Sequence, residues 1–250
     1  MHTRHKPTLR TLSILEFLSS NNHRHTLTEI SRHLDVSTST LFPILHTLRE
    51  QRYLDFDAKS HTYSLGIRLF EIGSRVQETH GYQQITEIMN DIQSVCGETC
   101  HFGILDGGDV LYLIKAEAAE QPIRMRSMVG KRLPAYGTAI GKALLKNYSL
   151  EALKRLYPGG LKPLTAHTIT DFDKLHEQLN SNDIFLYDKE ESTDAIACVA
   201  IPIYRKGVVA ASCSVAFPLF RYNDEAIVCA ERALKKALVR FEQVIHDVVL

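Results

Sequence analysis

The stretch TLTEISRHLDVSTSTLFPILHTLRE, residues 26–50, decides the fold of the first part of the chain. It opens with Thr26 and Glu29 at the spacing of a capping box, in which each side chain bonds the other residue's backbone N–H at a helix start. The apolar residues that follow at helical spacing would form the buried side of this helix: Leu27, Ile30 and Leu34. The sequence therefore predicts a short helix directly after Thr26.

A second helix is predicted after a very short break. Ser37 is a residue type that caps helices, and the apolar residues after it again recur at helical spacing. The inward side of this helix would consist of Leu41, Ile44, Leu45 and Leu48. Two short helices joined so tightly are typical of a helix-turn-helix, whose second helix presents its first turns to the major groove of DNA.

The segments on either side complete a small module. Upstream, TLRTLSILEFLSS (residues 8–20) has apolar residues at helical spacing. Downstream, YLDFDAKSHTYSL (residues 53–65) alternates apolar and polar residues around a polar turn, which predicts a β-hairpin. Three helices and a hairpin are the elements of a winged helix-turn-helix, which we assign to residues 1–66.

This module offers side chains suited to double-stranded DNA. Short polar groups at the start of the recognition helix would meet base edges, while Ser, Thr, Arg and Lys would bind phosphates. The alternative is a three-helix module that contacts no DNA, in which STST is only a cap and the surface charges are solvated. The candidate DNA-binding residues are Thr26, Ser37, Thr38, Ser39, Thr40, Phe42, His46, Arg49 and Lys59.

The remainder of the chain mixes helices and strands. A linker helix is predicted over residues 67–80, with the hinge at THGY, and a second domain over residues 81–250. Residues 99–118 read as a hairpin, and two further strands flank the turn at 205–207. Helices are expected over 138–146, 150–156 and 170–181, and from Asp224 to about Val248. This order predicts an α+β domain with an antiparallel or mixed sheet.

Composition excludes several classes of protein. No stretch reaches the roughly 18 apolar residues of a membrane span, and the N-terminus lacks the apolar block of a secretory signal. The five cysteines form no CxxC pair, and no glycine-rich phosphate loop is present. We therefore expect a cytoplasmic protein with reduced thiols, no membrane partner and no cofactor.

Three polar groups could carry other chemistry. The acidic run at 188–191 would act as acid and base, bind a cation, or form a solvated turn or part of a pocket. Cys100 and His101 suggest zinc, but neighbours on a strand point to opposite faces. Cys198 is either a reactive thiol or a small residue that lines a core or pocket. We predict no catalytic residue and no metal site; the rival is an enzyme that acts on a small organic acid with its second domain.

Several blocks, in order along nearly the whole chain, resemble the IclR family of bacterial regulators. Residues 8–20, 27–57 and 63–73 look like that family's helices, wing and linker. GKRLPAYGTAIGKALL (residues 130–145) looks like the loop and helix that cover its effector pocket. Its signature strands resemble YDKEESTDAIACVAIPIY (residues 187–204) and VVAASCSVAFPLFR (residues 208–221).

The resemblance implies a winged helix-turn-helix, a linker helix and a GAF-like effector-binding domain, assembled as a homodimer or homotetramer on palindromic operators. It implies a regulator, more often a repressor, of a catabolic operon, controlled by a small organic acid or sugar-derived metabolite. Asp188, Cys198 and Ser214 would make the chief polar contacts. The implied pocket residues are Met125, Leu133, Ala139, Ile140, Asp188, Ile196, Cys198, Ser214 and Ala216.

The chain departs from the family pattern at a few positions. Pro43 stands where the family often has a basic residue, and it would remove one hydrogen bond from the recognition helix and kink it. Ala216 replaces a second pocket serine of some relatives, and TDA replaces a glycine-containing turn before Ile196. Lys142 would add charge to the pocket unless helix packing turns it outward. The operator and the ligand are therefore expected to differ from those of such relatives.

Overall fold

The computed structural model describes residues 5–20, 23–79, 81–117 and 129–249. They divide into two compact units between Thr79 and His80. No helix within these ranges is long and apolar enough to cross a membrane. The elements of the first unit are α1 (Lys6–Ser19), β1 (His25–Thr26), α2 (Leu27–Leu34), α3 (Thr38–Glu50), β2 (Leu54–Asp57), β3 (Thr62–Leu65) and α4 (Ile67–Thr79).

The predicted capping box starts α2. The backbone N–H of Glu29 donates to Thr26 Oγ1 at 3.3 Å, and the backbone N–H of Thr26 donates to Glu29 Oε2 at 2.7 Å. Two N–H groups that a helix start leaves without partners are thereby satisfied. The predicted apolar stripes pack into the core of the unit, whose buried members are Ile14, Leu18, Ile30, Leu41, Leu45, Leu48, Leu54 and Tyr63.

The start of α3 differs from the prediction in one detail. Ser37 occupies the N-cap position, but its side chain caps no backbone N–H. Its hydroxyl instead lies 2.8 Å from Thr40 Oγ1 and 3.2 Å from Ser39 Oγ. The prediction that the Ser37 side chain caps the helix is therefore wrong, because neighbouring hydroxyls compete for it. Pro43 lies inside α3, which remains one helix despite the hydrogen bond that proline cannot make.

The strands of the first unit form a small antiparallel sheet in the order β1, β3, β2. Phe56 of β2 lies opposite Tyr63 of β3, and their ring centroids are 4.8 Å apart. The turn between these strands is held by Asp57, whose carboxylate accepts from the Lys59 backbone N–H and from the Ser60 hydroxyl. The predicted hairpin is thus a well-formed wing.

The second unit is an α+β fold. Its strands are β4 (Thr99–Asp106), β5 (Asp109–Ala116), β6 (Arg132–Pro134), β7 (Leu186–Lys189), β8 (Ile196–Arg205) and β9 (Val208–Pro218). Its helices are α5 (Tyr82–Cys96), α6 (Ala139–Leu144), α7 (Leu150–Leu156), α8 (Phe172–Leu179) and α9 (Asp224–Val244), with 3₁₀ turns at Ala135–Gly137 and Leu219–Arg221. The last helix ends four residues earlier than predicted. Between α4 and α5, at the predicted hinge, the structure describes Gly81, which has a positive φ of 73°.

All six strands pair antiparallel in the order β6, β5, β4, β9, β8, β7. Because side chains alternate along a strand, the sheet offers two distinct faces. One face packs against α5 and α9 through residues such as Phe102, Val199 and Val215. The other packs against α6, α7 and α8 through a separate apolar cluster. The functional site of this unit lies on the second face.

A β-bulge in β5 changes which face its side chains reach. Phe102 pairs with Ile114 and the next residue, Gly103, pairs with Tyr112, so Leu113 is an extra residue without a partner. Tyr112 packs with the α6 cluster, whereas Ile114 packs with the α5 and α9 cluster. A Cβ at position 103 would lie 2.8 Å from the Leu111 carbonyl oxygen, so this close approach requires glycine.

Candidate effector cavity and DNA-binding surface

A cavity of about 280 Å³ lies between the second face of the sheet and the start of α6. Eight of the nine residues that the sequence suggested for a pocket line this one cavity. The ninth, Met125, lies outside the described residues. The eight are Leu133, Ala139, Ile140, Asp188, Ile196, Cys198, Ser214 and Ala216.

Strand register brings these distant residues together. Cys198 lies opposite Asp188 on one side and opposite Ala216 on the other, while Ser214 lies opposite His101. Residues directly opposite in antiparallel strands project from the same face, so these five side chains share one wall. The wall is therefore built from four neighbouring strands that occupy separate parts of the sequence.

The cavity has eight further lining residues that the sequence did not suggest. Two of them reach the cavity through the pairing of the strands. His101 lies opposite Ser214, and Tyr112 projects to this face because of the bulge in β5. Thr138 comes with the start of α6, whose N-cap it forms. The full additional set is His101, Tyr112, Lys131, Thr138, Ser192, Thr193, Asp194 and Pro218.

Asp188 is buried and bonded to its own loop. Its Oδ1 accepts from the backbone N–H of Glu191 at 2.7 Å, and its Oδ2 accepts from the Ser192 hydroxyl at 2.8 Å. Burial raises the pKa of this carboxyl group, while these hydrogen bonds oppose the rise. Asp188 thus holds the loop that carries Ser192 and Asp194 to the cavity.

The same loop is fixed at several other points. Glu190 and Ala195 adopt left-handed backbone conformations, and Glu190 Oε1 accepts from the Ala195 backbone N–H at 2.9 Å. Thr165 and Thr168 donate their hydroxyl groups to the carbonyl oxygens of Glu190 and Glu191. Ala195 supplies the positive φ that a glycine usually provides. The solvated-turn reading of the acidic run is wrong, because Asp188 and Glu191 are both buried.

Lys142 points inward, contrary to the expectation that packing could turn it to solvent. Its side chain is fully buried, and Nζ donates to Glu191 Oε1 at 2.5 Å and to the Tyr187 carbonyl oxygen at 3.0 Å. Lys142 is also absent from the cavity lining. Burial lowers the pKa of Lys142 and raises that of Glu191. The pair ties α6 to the loop beside the cavity.

Two polar side chains on the cavity wall differ in their hydrogen bonding. Ser214 is 2% exposed, and within the described parts of the chain its hydroxyl has no hydrogen-bond partner. Ser212, two residues earlier on β9, donates its hydroxyl to the Ile201 carbonyl oxygen at 2.9 Å and does not line the cavity. The Ser214 hydroxyl faces the cavity and makes no hydrogen bond within the described residues, so it is suited to bind a polar ligand atom.

Three further polar groups on the cavity wall, those of His101, Tyr112 and Cys198, are uncharged at pH 7. Burial, assisted by Lys115, lowers the pKa of His101 to about 4, so its imidazole is neutral at pH 7. Burial raises the pKa of Tyr112, and it raises that of Cys198 well above the ordinary thiol value. Cys198 therefore stays protonated and is a poor nucleophile. The rim, by contrast, exposes Lys131 and Asp194.

No cluster of three or more His, Cys, Asp or Glu side chains in the described ranges is arranged to hold a metal ion. Cys100 packs in the core beneath α5 and α9, whereas His101 lines the cavity on the other face of the sheet. The argument that these neighbours point to opposite faces agrees with this arrangement.

The first unit presents most of its candidate DNA-binding residues to solvent. Thr26 and Thr40 are partly exposed, while the others are exposed. Arg49 lies with its guanidinium 5.6 Å from the centroid of the Phe56 ring in the wing strand, and His46 Nδ1 lies 3.5 Å from Glu50 Oε2. The exposed candidates are Ser37, Thr38, Ser39, Phe42, His46, Arg49 and Lys59.

Comparison with known proteins identifies both parts of the chain. The model of the IclR helix-turn-helix domain matches residues 7–58, and the model of the bacterial transcriptional regulator IclR C-terminal domain matches residues 74–240. The chain is 32% identical to the HTH-type transcriptional regulator KdgR of Escherichia coli K12 over 206 residues, covering 80% of this chain and 78% of KdgR. It is 27% identical to the E. coli K12 HTH-type transcriptional repressor AllR, covering 88% and 82% of the two chains.

The fold agrees with a solved structure of the same kind. The crystal structure of an IclR transcriptional regulator from Alicyclobacillus acidocaldarius superposes with a TM-score of 0.88, at 24% identity, and covers 97% of this chain and 99% of that one. Regulators of this kind bind operator DNA and small-molecule effectors. The chain belongs to the IclR family of bacterial transcriptional regulators and is a DNA-binding regulator with an effector-binding C-terminal domain, not an enzyme.

Proposed function

We propose that this regulator is a repressor of a catabolic operon that binds a small organic acid or sugar-derived acid in the cavity of its second unit. It acts in the cytoplasm, where its operator lies, as a homodimer or homotetramer on palindromic DNA. The observation that carries the proposal is the convergence of residues from all six strands of the sheet and from α6 on one cavity. Its wall includes a buried hydroxyl, that of Ser214, without a partner in the described residues.

The chemistry of the cavity supports a small ligand with both charge and hydroxyl groups. A volume of about 280 Å³ is near the lower end of ligand pockets, which suits a metabolite rather than a large cofactor. The Ser214 hydroxyl offers a hydrogen bond inside the cavity, beside the neutral His101. Lys131 on the rim offers a cation for a carboxylate, and Asp194 there accepts hydrogen bonds from hydroxyl groups.

Asp188 contributes to binding through the loop that it holds. Both of its oxygen atoms accept hydrogen bonds from residues 191 and 192, so it orders the segment that carries Ser192 and Asp194. Ligand contacts from this segment would then depend on Asp188 without a direct bond to it. This role refines the expectation that Asp188, Cys198 and Ser214 make the chief polar contacts.

The first unit supports operator binding by α3 and the wing. The exposed start of α3 offers hydroxyl groups to DNA, and Arg49 and Lys59 are placed for phosphates. The effector would change the operator affinity by favouring one arrangement of the DNA-binding units over another. Such coupling is worth about 1–3 kcal/mol in regulators generally. Repression, with release by the effector, is supported by the similarity to the repressor AllR.

Gel retardation tests the DNA-binding role. The full chain is titrated with the intergenic DNA upstream of its own gene at two salt concentrations, with competitor DNA present. We expect a specific shift that weakens steeply with salt. A shift that competitor DNA abolishes at both salt concentrations would contradict operator binding.

Thermal stabilisation tests the effector site. A panel of small carboxylic acids and sugar acids is screened for a rise in the melting temperature, because a ligand of the folded state raises it. Ser214→Ala should lose most of the rise given by a positive acid, while Ser212→Ala should keep it. Equal losses in both variants would remove Ser214 from the site.

A further inference from the structure

Phe42 is the large apolar side chain on the exposed face of α3. Its ring is 54% exposed, although the other large apolar side chains of the helix turn wholly or mostly inward. Ser39 and His46, three residues before and four after, are exposed beside it on the same face. Single exposed apolar residues are common on protein surfaces, so exposure alone assigns no role. The composition of the surrounding face supplies the further argument.

The segment from Ser37 to Leu48 contains no Arg, Lys, Asn, Gln, Asp or Glu. Arg and Lys recognise guanine, Asn and Gln recognise adenine, and Asp and Glu accept from cytosine. The first three turns of α3 therefore lack the side chains that read those bases by paired hydrogen bonds. The modes of base reading that remain to this segment are single hydrogen bonds from Ser or Thr and apolar contact with the 5-methyl group of thymine.

Several hydroxyl groups at the start of α3 and along it are already engaged within the protein. Ser37 lies within hydrogen-bond distance of the hydroxyls of Ser39 and Thr40, and Thr47 donates to the Pro43 carbonyl oxygen at 2.9 Å. These contacts reduce what the hydroxyls can offer to base edges. Pro43 is exposed next to Phe42 and extends its apolar surface. Phe42 is thus the side chain of this face with the most surface to give to DNA.

We propose that Phe42 is a specificity-determining residue that recognises a thymine in each operator half-site by contact with its 5-methyl group. The inference rests on the proposed function, in which α3 enters the major groove. It adds to that function the base that α3 selects, which is thymine, and the side chain that selects it, which is Phe42. Arg49 and Lys59 would then contribute affinity through phosphates without a preference for sequence.

Removal of a single methyl group tests the contact. Binding sites are selected from a pool of random duplexes with the full-length chain. In the selected duplex each thymine is then replaced, one base pair at a time, by deoxyuridine, which lacks only the methyl group. We expect one replacement in each half-site to weaken binding about fourfold, the value of one buried methyl group.

Two variants complete the test. Phe42→Ala should bind the selected duplex about tenfold more weakly and should not distinguish thymine from deoxyuridine. Phe220→Ala removes a similarly exposed ring, 70% exposed, from the second unit and should keep the wild-type preference. Equal wild-type binding to all deoxyuridine duplexes would overturn the role of Phe42 while leaving operator binding intact. A pool without any enriched sequence would overturn the proposed function and this inference together.

Discussion

Lys142 Nζ lies 2.5 Å from Glu191 Oε1, and the two residues are 49 positions apart in the sequence. Lys142 is fully buried and Glu191 nearly so, which makes this an ion pair of the interior. It joins α6, one wall of the cavity, to the loop that forms part of its rim. Each charge compensates the other for its lost hydration, so burial of either charge without its partner would be strongly destabilising.

Removal of either partner should therefore be costly. We expect Lys142→Met and Glu191→Leu each to lower the free energy of unfolding by about 3–5 kcal/mol, because the remaining partner stays buried. Lys142→Met combined with Glu191→Leu should recover most of this loss. Urea unfolding followed by circular dichroism measures the three variants as a double-mutant cycle. Single variants within about 1 kcal/mol of the wild type would contradict a buried pair.

His101 should make stability depend on pH. Its pKa of about 4 in the folded chain is lower than the ordinary value of 6.5, so the unfolded chain binds more protons between these values. The stability is fully present above about pH 6.5 and is lost as the pH falls through 4. The total change is about 3 kcal/mol.

The measurement compares unfolding free energies at pH 7.5 and pH 4.5. His101→Gln should reduce the difference between the two by about 3 kcal/mol, since the group that titrates is gone. The exposed His167→Gln serves as the control and should leave the wild-type difference unchanged. A full wild-type pH dependence in His101→Gln would show that other groups cause it.

The two helix starts of the first unit should respond differently to loss of a hydroxyl. Thr26→Ala should destabilise α2 by about 1 kcal/mol, because it breaks a capping box. Ser37→Ala should cost α3 clearly less, because that side chain caps no backbone N–H. Hydrogen exchange of the backbone amides in α2 and α3 measures both effects. Equal losses of protection in the two variants would refute this distinction.

Arg49 should act on DNA through its charge. We expect Arg49→Ala to weaken binding to all duplexes alike and to lower the slope of log affinity against log salt concentration by about 1. Arg49→Lys should preserve the slope, although it loses the planar group that faces the Phe56 ring. Filter binding across a salt series gives the slopes. A change of sequence preference in Arg49→Ala would instead indicate a base contact.

Local sequence patterns predicted much of this structure. The capping box at Thr26 depends on residues three apart, and alternation along β9 places Ser214 and Ala216 on one face. The α+β order of the second unit followed from the same kind of pattern. The family resemblance added the pocket residues, which lie on strands that only tertiary pairing brings together.

Other features depend on contacts that the sequence does not display. The partner of Lys142 lies across the fold, so its burial could not be read from α6 alone. His101 reaches the cavity through its register with Ser214. Ser37 failed as a side-chain cap because its hydroxyl lies within hydrogen-bond distance of those of Ser39 and Thr40 instead. The detailed geometry of the helix start decides which of these hydrogen bonds the Ser37 hydroxyl makes.

The unpaired Leu113 allows Tyr112 and Ile114, which are two positions apart in β5, to project to opposite faces of the sheet. With that residue, Tyr112 serves the ligand side of the sheet while Ile114 serves the opposite core. Its deletion would leave Tyr112 and Ile114 as direct neighbours in a regular ladder, and neighbours on a strand project to opposite faces, so both side chains would keep their present sides. The strand should therefore tolerate apolar exchanges at Leu113 and even its removal, whereas a one-residue slip of the whole strand would turn Tyr112 away from the cavity and Ile114 away from the core behind the sheet.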